Sequence, residues 1–194
     1  MDEYRVIKIL HSIKAFVALA HKPNDNNKTK VFAWGDAALG GKINKPVQDN
    51  MEEFTVTQII STNFAFVALA HNRKDPTKTK LFAWGNKDSG GKIDKSIREE
   101  IRNLTITEML YNGYVFVVLA HDPNDRNKTK VFAWDDAAWG GRIGDDMQDN
   151  INNNLIISIF SSKGSFLALS NDGKVYIWGT IDDDSDFIPG IIAT

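Results

Sequence analysis

A short apolar segment occurs along the chain at a constant spacing of 50 residues. It reads Phe-Val-Ala-Leu-Ala-His at Phe16–His21 and at Phe66–His71, and it differs by a single valine at Phe116–His121. A fourth, diverged copy begins at Phe166, with the same spacing of 50 residues. A chain with a fixed internal period is built from repeated units, and each unit buries its apolar surface against its neighbours. The period therefore constrains the fold more strongly than any other feature of the sequence.

Each copy contains segments with the patterns of β-strands. The first segment alternates polar and apolar residues, as in Thr55–Ile60, which is typical of a strand with one buried face. The second and third, represented by Phe16–Ala20 and Val31–Trp34, are apolar on both faces, which a strand needs only when both faces are covered. The Asn-Asp-Gly-Lys sequence at 171–174 predicts a tight hairpin between them. Gly, Asn and Pro cut the apolar runs into pieces too short for helices, so we expect three antiparallel strands in each copy.

Small antiparallel sheets that recur about every 50 residues and need neighbours on both faces are typical of a β-propeller. We therefore predict an all-β, propeller-like array of four blades in a single repeat domain over residues 1–194, with repeats at about 4–50, 51–100, 101–150 and 151–194. An open stack would need polar end caps, but Phe16–Ala20 of the first copy is as apolar as the middle copies. The ends should therefore meet in a closed four-bladed ring, or a second copy of the chain should complete an arc by homo-oligomerisation.

Composition narrows the classes of function. The net charge is -2, from 23 basic and 25 acidic residues, which argues against binding nucleic acid through bulk charge. The chain has no cysteine, which excludes disulfides, thiolate metal sites and cysteine nucleophiles. The acidic start Met1–Arg5 is unlike a signal peptide, and no apolar run approaches the length of a membrane span. We therefore expect a cytoplasmic protein, or one that is exported without an N-terminal signal, and no membrane partner.

The fourth copy carries the combination of residues that identifies a resemblance. Phe-Leu-Ala-Leu at Phe166 is followed by the Asp-Gly turn and by Val-Tyr-Ile-Trp-Gly at Val175–Gly179, and paired glycines follow the tryptophan in the first three copies. This combination resembles the repeat of the regulator of chromosome condensation family. The resemblance implies a β-propeller, usually of seven blades. It also implies roles as an exchange factor for a small GTPase, a chromatin binder or a protein-interaction platform, and bacterial relatives include host-directed effectors.

The chain departs from that family in three respects. Four copies are too few for a seven-bladed ring in one chain, and no segment resembles the family's GTPase-engaging wedge. The turns between the second and third strands of the first three copies are also enlarged. From Phe16 to Val31 the chain advances 15 positions, whereas from Phe166 to Val175 it advances 9, so six residues are inserted.

These enlarged turns are the candidate partner-binding site. Insertions in register project from the same edge of successive blades, where repeat proteins commonly bind their partners. The candidate residues are the charged side chains of the turns: Asp25, Lys28, Lys30, Asp75, Lys78, Lys80, Asp125, Lys128 and Lys130. The alternative is that the turns are solvated hairpin tips, which were copied when whole repeats were duplicated.

Two further features lie outside the turns. Trp139 stands in a polar loop where the other copies have Leu39 and Ser89, so it either anchors a partner or fills a gap between blades. The aspartates at 182–184 and 186 follow the last tryptophan. We interpret them as a solvated terminal turn in preference to an acidic patch or a cation site.

No residue set predicts catalysis or metal binding. His21, His71 and His121 occupy equivalent positions on separate blades, where their imidazoles should not converge on one ion. Lys74 and Pro76 replace two asparagines of the first turn, which removes oxygen ligands that calcium would need. The sequence also has no recurring serine-histidine-carboxylate set and no phosphate-binding glycine loop. We therefore predict no catalytic residue, no metal and no cofactor.

The sequence favours a non-enzymatic protein-interaction module that binds a macromolecular partner through the loop-bearing edge of its blades. The partner is expected to be a protein, and self-association could complete a ring. The alternatives are an effector-like exchange factor for a small GTPase, which only the family resemblance implies, and a lectin-like binder with ligand pockets repeated between blades.

Overall fold

The computed structural model describes residues 3–180, and within this range the chain forms four antiparallel sheets of three strands each. We call these sheets blades 1 to 4. Blade 1 consists of β1 (Arg5–His11), β2 (Ala15–Lys22) and β3 (Asp25–Gly35), and blade 2 of β4 (Phe54–Ser61), β5 (Ala65–Asn72) and β6 (Thr79–Gly85). Blade 3 consists of β7 (Thr105–Tyr111), β8 (Phe116–Asp122) and β9 (Asp125–Trp134), and blade 4 of β10 (Ile156–Ser161), β11 (Ser165–Ser170) and β12 (Val175–Gly179).

The all-β fold class with four repeated antiparallel blades is confirmed. The chain forms two compact units that divide between Ile93 and Asp94, so the first unit holds blades 1 and 2 and the second holds blades 3 and 4. The single repeat domain over 1–194 and the way in which the blades close a ring stay predictions.

The first strand of every blade has an irregular register at the same repeat position. In blade 1 the register shifts between Val6 and Lys8, and equivalent shifts occur in the other three blades. Such a β-bulge leaves backbone groups without ladder partners. In the first unit the Lys8 ammonium donates to the carbonyl oxygen of Ile59 at 3.3 Å, and in the second the backbone N–H of Ile159 donates to Glu108 at 3.1 Å. A side chain of one blade thus satisfies the bulged strand of the next blade in the same unit.

Short helices follow the third strands of blades 1 to 3, and the sequence analysis did not predict them. They are α1 (Lys45–Met51), α2 (Lys95–Ile101) and α3 (Asp145–Asn152). The Asn44 side chain caps α1 by accepting the Val47 N–H at 3.0 Å, and proline occupies the first turn, where its missing N–H costs nothing. Each helix has one buried apolar side chain in its last turn, from Met51, Ile101 or Ile151. Helices of two turns are below the length that apolar periodicity detects.

The enlarged turns are largely strand, which differs from the expectation of loops. In blade 1 the ladder continues to the pair Lys22 and Asp25 across a bulge, and in blade 3 to Asp122 and Asp125. In blade 2 the ladder stops at His71 and Thr79, so residues 73–78 form a loop. Proline has no backbone N–H to donate to a ladder. Pro76 stands where the other two enlarged turns have Asn26 and Arg126, so only the second turn has a proline at this position.

Aromatic pairs fill the contact between the two blades of each unit. In the first unit the rings of Phe66 and Trp84 stack with centroids 5.6 Å apart, and in the second those of Phe166 and Trp178 stack at 5.8 Å. All four side chains are at most 5% exposed. Of the four repeated tryptophans, Trp84, Trp134 and Trp178 are buried, whereas Trp34 is 41% exposed.

The glycine pairs adopt a positive φ. The first glycine of each pair, Gly40, Gly90 or Gly140, has φ between +88° and +94°, a conformation that glycine adopts without strain. Within each unit the glycine also lies against the aromatic pair of the following blade, because a Cβ on Gly40 would stand 2.5 Å from the Phe66 ring and one on Gly140 would stand 2.8 Å from Phe166. The glycines therefore serve both the turn and the contact between blades.

Candidate protein-interaction surface

The aspartates of the enlarged hairpins stabilise the hairpins themselves. Asp25 accepts the backbone N–H of the residue two positions later at 3.1 Å, and Asp75 and Asp125 do so at 3.2 and 3.1 Å. This arrangement is the local turn that Asp side chains favour. Each aspartate also pairs with the lysine three residues later, with N–O distances of 3.9, 3.4 and 3.7 Å for Lys28, Lys78 and Lys128. The pattern Asp-x-x-Lys thus gives the three hairpins the same contacts around the aspartate.

Asp75 has the most strongly hydrogen-bonded carboxylate of the three. It accepts from both the backbone N–H and the hydroxyl of Thr77, the latter at 2.5 Å. The Thr77 hydroxyl, followed by the Lys78 ammonium, holds the pKa of Asp75 below its usual value. The carboxylate therefore stays ionised, and keeps these hydrogen bonds, in more acidic solution than an ordinary aspartate.

The second lysine of each hairpin lies back on its own unit. The Lys30 ammonium is 5.7 Å from the centroid of Tyr4, and that of Lys80 is 5.0 Å from the centroid of Phe54. The Lys130 ammonium pairs with the Glu100 carboxylate. These three lysines therefore contribute charge to the edge while their side chains are held in place.

The threonine between the two lysines of a hairpin joins one blade to the next, a role that the sequence does not predict. The Thr29 hydroxyl accepts the backbone N–H of Val56 at 2.7 Å, and that of Thr129 accepts the N–H of Ile156 at 2.7 Å. The recurrence of Lys-Thr-Lys in three otherwise variable hairpins was the available signal. Thr29 is half-buried and Thr129 is buried, and the adjacent blade supplies the hydrogen-bond partner of each hydroxyl.

Arg73 joins the hairpins of blades 1 and 2 into one surface. Its guanidinium donates to the carbonyl oxygen of Asn27 at 3.2 Å and to that of Phe54 at 3.1 Å. We call residues 22–30 and 73–80 the hairpin surface. These residues include seven basic side chains and two acidic ones, so the surface is positive although the chain as a whole is slightly acidic. The third hairpin, 122–130, has the same internal geometry on the corresponding edge of its own blade in the second unit.

Trp139 lies half-buried in a short 3-10 turn at Ala137–Trp139. Its indole stacks on Tyr114 with ring centroids 4.5 Å apart, and its carbonyl oxygen accepts from the Asn112 amide at 2.9 Å. Tyr114 stands where the other copies have Lys14, Phe64 and Gly164, so the stacked pair belongs to blade 3 alone. This contact supports the interpretation that the ring fills space in its own unit, and a role in anchoring a partner stays a prediction.

The three repeated histidines meet local backbone groups. The Nδ1 atoms of His21, His71 and His121 lie 2.7 to 2.9 Å from carbonyl oxygens of residues in their own hairpins. Over residues 3–180, no three His, Asp or Glu side chains converge as a metal site requires. The same part of the chain holds no helix with the length and apolarity needed to cross a membrane. The aspartates at 182–184 and 186 lie outside the described residues.

Comparison with solved structures identifies the class of fold. The C-terminal domain of gp131 from bacteriophage phiKZ matches with a TM-score of 0.57 and 13% identity, over 96% of this chain and 59% of that one. The CRINKLY WD40 ectodomain of the Arabidopsis thaliana receptor kinase ACR4 matches with a TM-score of 0.55 and 12% identity, over 93% of this chain and 53% of that one. WD40 repeats build β-propellers, so the chain has a β-propeller repeat fold.

Other comparisons add little to this result. Prp20p of Saccharomyces cerevisiae, also called yeast RCC1, matches with a TM-score of 0.47 and 17% identity, over 93% of this chain and 45% of that one. An overlay at that score carries no argument. No protein-family model and no curated protein matches the sequence. The chain spans about half to three-fifths of the length of the structures that it matches.

Proposed function

We propose that this chain is a non-enzymatic protein-interaction module of the regulator-of-chromosome-condensation-like β-propeller type, and that it binds an acidic partner protein through the hairpin surface. The observation that carries the proposal is the positive charge of two hairpins that are fixed in shape and joined by Arg73. A fixed array of like charges binds with little loss of side-chain and loop entropy, because the loops are already ordered. It also accelerates encounter with a partner of opposite charge.

The lysines that a partner would contact are those that remain exposed. The Lys28 and Lys78 side chains are 54% and 75% exposed although they pair with their aspartates, and Lys74 lies exposed in the loop between Arg73 and Asp75. Exposed ion pairs of this kind contribute little to stability. Their replacement should therefore change binding without unfolding the blades.

The test compares two triple variants with equal charge. The first carries Lys28→Gln, Lys74→Gln and Lys78→Gln on the hairpin surface. The second carries Lys14→Gln, Lys87→Gln and Lys92→Gln, which are exposed lysines of the same unit outside the hairpins. The immobilised proteins are used to capture partners from a cell lysate, and polyglutamate and duplex DNA serve as defined probes.

We expect the hairpin variant to lose the captured protein and the polyglutamate, and the control variant to retain both. Binding by the wild-type chain should weaken as salt rises, because screening acts over about 8 Å at physiological ionic strength. Full capture by the hairpin variant would contradict the proposal. Tighter binding of duplex DNA than of polyglutamate would replace the protein partner with nucleic acid.

A further inference from the structure

The outward face of blade 1 exposes residues whose repeat equivalents are buried in every other blade. Val6, Ile9, Phe16 and Trp34 are 39%, 62%, 47% and 41% exposed. We call these four residues the leading face. The equivalent residues of blades 2 to 4 are at most 5% exposed: Val56, Ile59, Phe66 and Trp84; Ile106, Met109, Phe116 and Trp134; and Ile156, Ile159, Phe166 and Trp178. An exposed apolar patch of this size and regularity marks an interaction site.

The contact between blades 1 and 2 shows what such a face binds. There, Phe66 lies against Gly40 and the indole of Trp84 donates to the Gly40 carbonyl oxygen at 3.1 Å. The Ser61 hydroxyl donates to the His11 carbonyl oxygen at 3.0 Å. The leading face of blade 1 therefore has the form of one half of a contact whose other half is the opposite face of a blade.

Blade 4 exposes the face that, in blade 1, packs against the next blade. Phe160 is 52% exposed, and Leu167, Leu169, Val175 and Ile177 are only half-buried. We call these five residues the trailing face. Three of their equivalents in blade 1, Val17, Leu19 and Val31, are 0%, 2% and 5% exposed and belong to the core that packs on blade 2. The same chain thus presents both halves of its own repeating contact.

The contacts within the two units favour the pairing of these two ends. Trp84 of blade 2 donates to the Gly40 carbonyl oxygen of blade 1 at 3.1 Å, and Trp178 of blade 4 donates to that of Gly140 in blade 3 at 3.0 Å. Packing the leading face on a trailing face therefore repeats a contact that each unit already forms, which selects the head-to-tail orientation.

We propose that the leading face of blade 1 docks on the trailing face of blade 4 of a second copy of this chain, head to tail. The docking depends on the apolar side chains of the strands, so it dissociates on dilution. Repeated head-to-tail contacts either close into a ring of several copies or extend into an open filament. The inference does not depend on the hairpin surface, which lies elsewhere on the blades.

Two single variants and their mixture test this arrangement. Ile9→Lys disrupts the leading face and Phe160→Lys disrupts the trailing face, and both side chains are more than half exposed, so neither change should unfold the chain. Ile157→Lys is the control, because Ile157 is also exposed but its equivalents Thr57 and Thr107 are exposed too. Sedimentation equilibrium over a concentration series measures the mass, with 21.7 kDa expected for the monomer.

We expect the wild-type chain and the control to associate reversibly to at least twice the monomer mass, and each single variant alone to be monomeric. An equimolar mixture of Ile9→Lys and Phe160→Lys should form a heterodimer and nothing larger, because the mixture retains one intact pair of faces. A wild-type monomer at the highest soluble concentration would overturn the proposal. So would a Phe160→Lys variant that still dimerises, since that result would indicate a contact between two leading faces.

Discussion

The indole N–H of Trp84 donates a hydrogen bond of 3.1 Å to the carbonyl oxygen of Gly40, and the ring of Phe66 lies against the same glycine. Trp178 makes the equivalent bond to Gly140 at 3.0 Å in the second unit. The aromatic pair and the glycine pair, which recur as separate motifs in the sequence, are therefore the two sides of one contact between blades. A buried indole N–H without an acceptor would cost about 1–3 kcal/mol, so the glycine carbonyl matters as much as the apolar packing.

Gly40→Ala should destabilise the first unit by about 2–4 kcal/mol, because strain from positive φ and overpacking act together. The new Cβ would stand 2.5 Å from the Phe66 ring at a φ of +94°. Urea unfolding followed by tryptophan fluorescence measures the change. Gly164→Ala is the control, since its Cβ would make only an ordinary contact, at 3.4 Å, and the other copies carry side chains there. Equal stability of the two variants would show that Gly40 is replaceable.

Asp135→Gly should stabilise the chain by about 1–2 kcal/mol, through release of backbone strain. Asp135 has a φ of +98°, while its equivalents Gly35, Gly85 and Gly179 have φ between +108° and +111°. In blade 1 the equivalent glycine takes part in the strand ladder, where Gly35 pairs with Ala15. In blade 3 the ladder between β8 and β9 begins one pair later, at Phe116 with Trp134, and does not include Asp135. A Cβ at this position thus coincides with the loss of one ladder pair.

Thermal unfolding and amide hydrogen exchange check this prediction. Slower exchange at the start of β8 would show that the missing pair has formed. Asp136→Gly is the control, and it should destabilise the chain, because the Asp136 carboxylate accepts the Ala138 N–H at 3.0 Å and caps the following turn. An Asp135→Gly variant that unfolds earlier than the wild-type chain would contradict the argument from strain.

The sequence predicts the blades well because their apolar runs and their glycines repeat in step. It predicts the tight turn at Gly173, whose φ is +85°. It does not reveal the exposure of Trp34, because a repeat motif is identical whether or not a neighbouring blade covers it. It also presents Asp25, Asp75 and Asp125 as binding residues, although the structure shows that their first role is to hold the hairpins. Whether a charged side chain serves a turn or a partner depends on distances that a sequence does not contain.

Asp172→Asn should make stability less sensitive to acid. The Lys174 ammonium, 2.6 Å away, and then the Ser170 hydroxyl lower the pKa of Asp172 to about 2. A carboxylate whose pKa is lower in the folded state stabilises the fold fully at pH values above 3.8, the pKa of the group in the unfolded chain. This stabilisation is lost as the pH falls through about 2, its pKa in the folded chain. The variant should therefore be less stable than the wild-type chain at neutral pH and approach it near pH 2. Urea unfolding across pH 2 to 6 measures the difference, with Glu53→Gln as the control for loss of an exposed carboxylate. A pH-independent difference would contradict the assignment.

Tyr176→Phe should stabilise the second unit by about 1–2 kcal/mol, the cost of a buried hydroxyl without a partner. The side chain of Tyr176 is fully buried, and among the described residues its hydroxyl finds no hydrogen-bond partner. The equivalent residues of the other blades are Phe32, Phe82 and Phe132, so phenylalanine fits the same site.

The effect of this substitution should also depend on pH. Burial raises the pKa of Tyr176 above 10.0, because the phenolate is poorly solvated there. The unfolded chain ionises this tyrosine near pH 10, so the wild-type protein loses stability as pH rises above that value, and the variant lacks this loss. The stability difference between the two proteins should therefore grow between pH 9 and pH 11, measured by urea unfolding. Tyr111→Phe, at a tyrosine that is 47% exposed, should show little of this growth. A difference that stays constant across this range would mean that the Tyr176 hydroxyl reaches water in the folded chain.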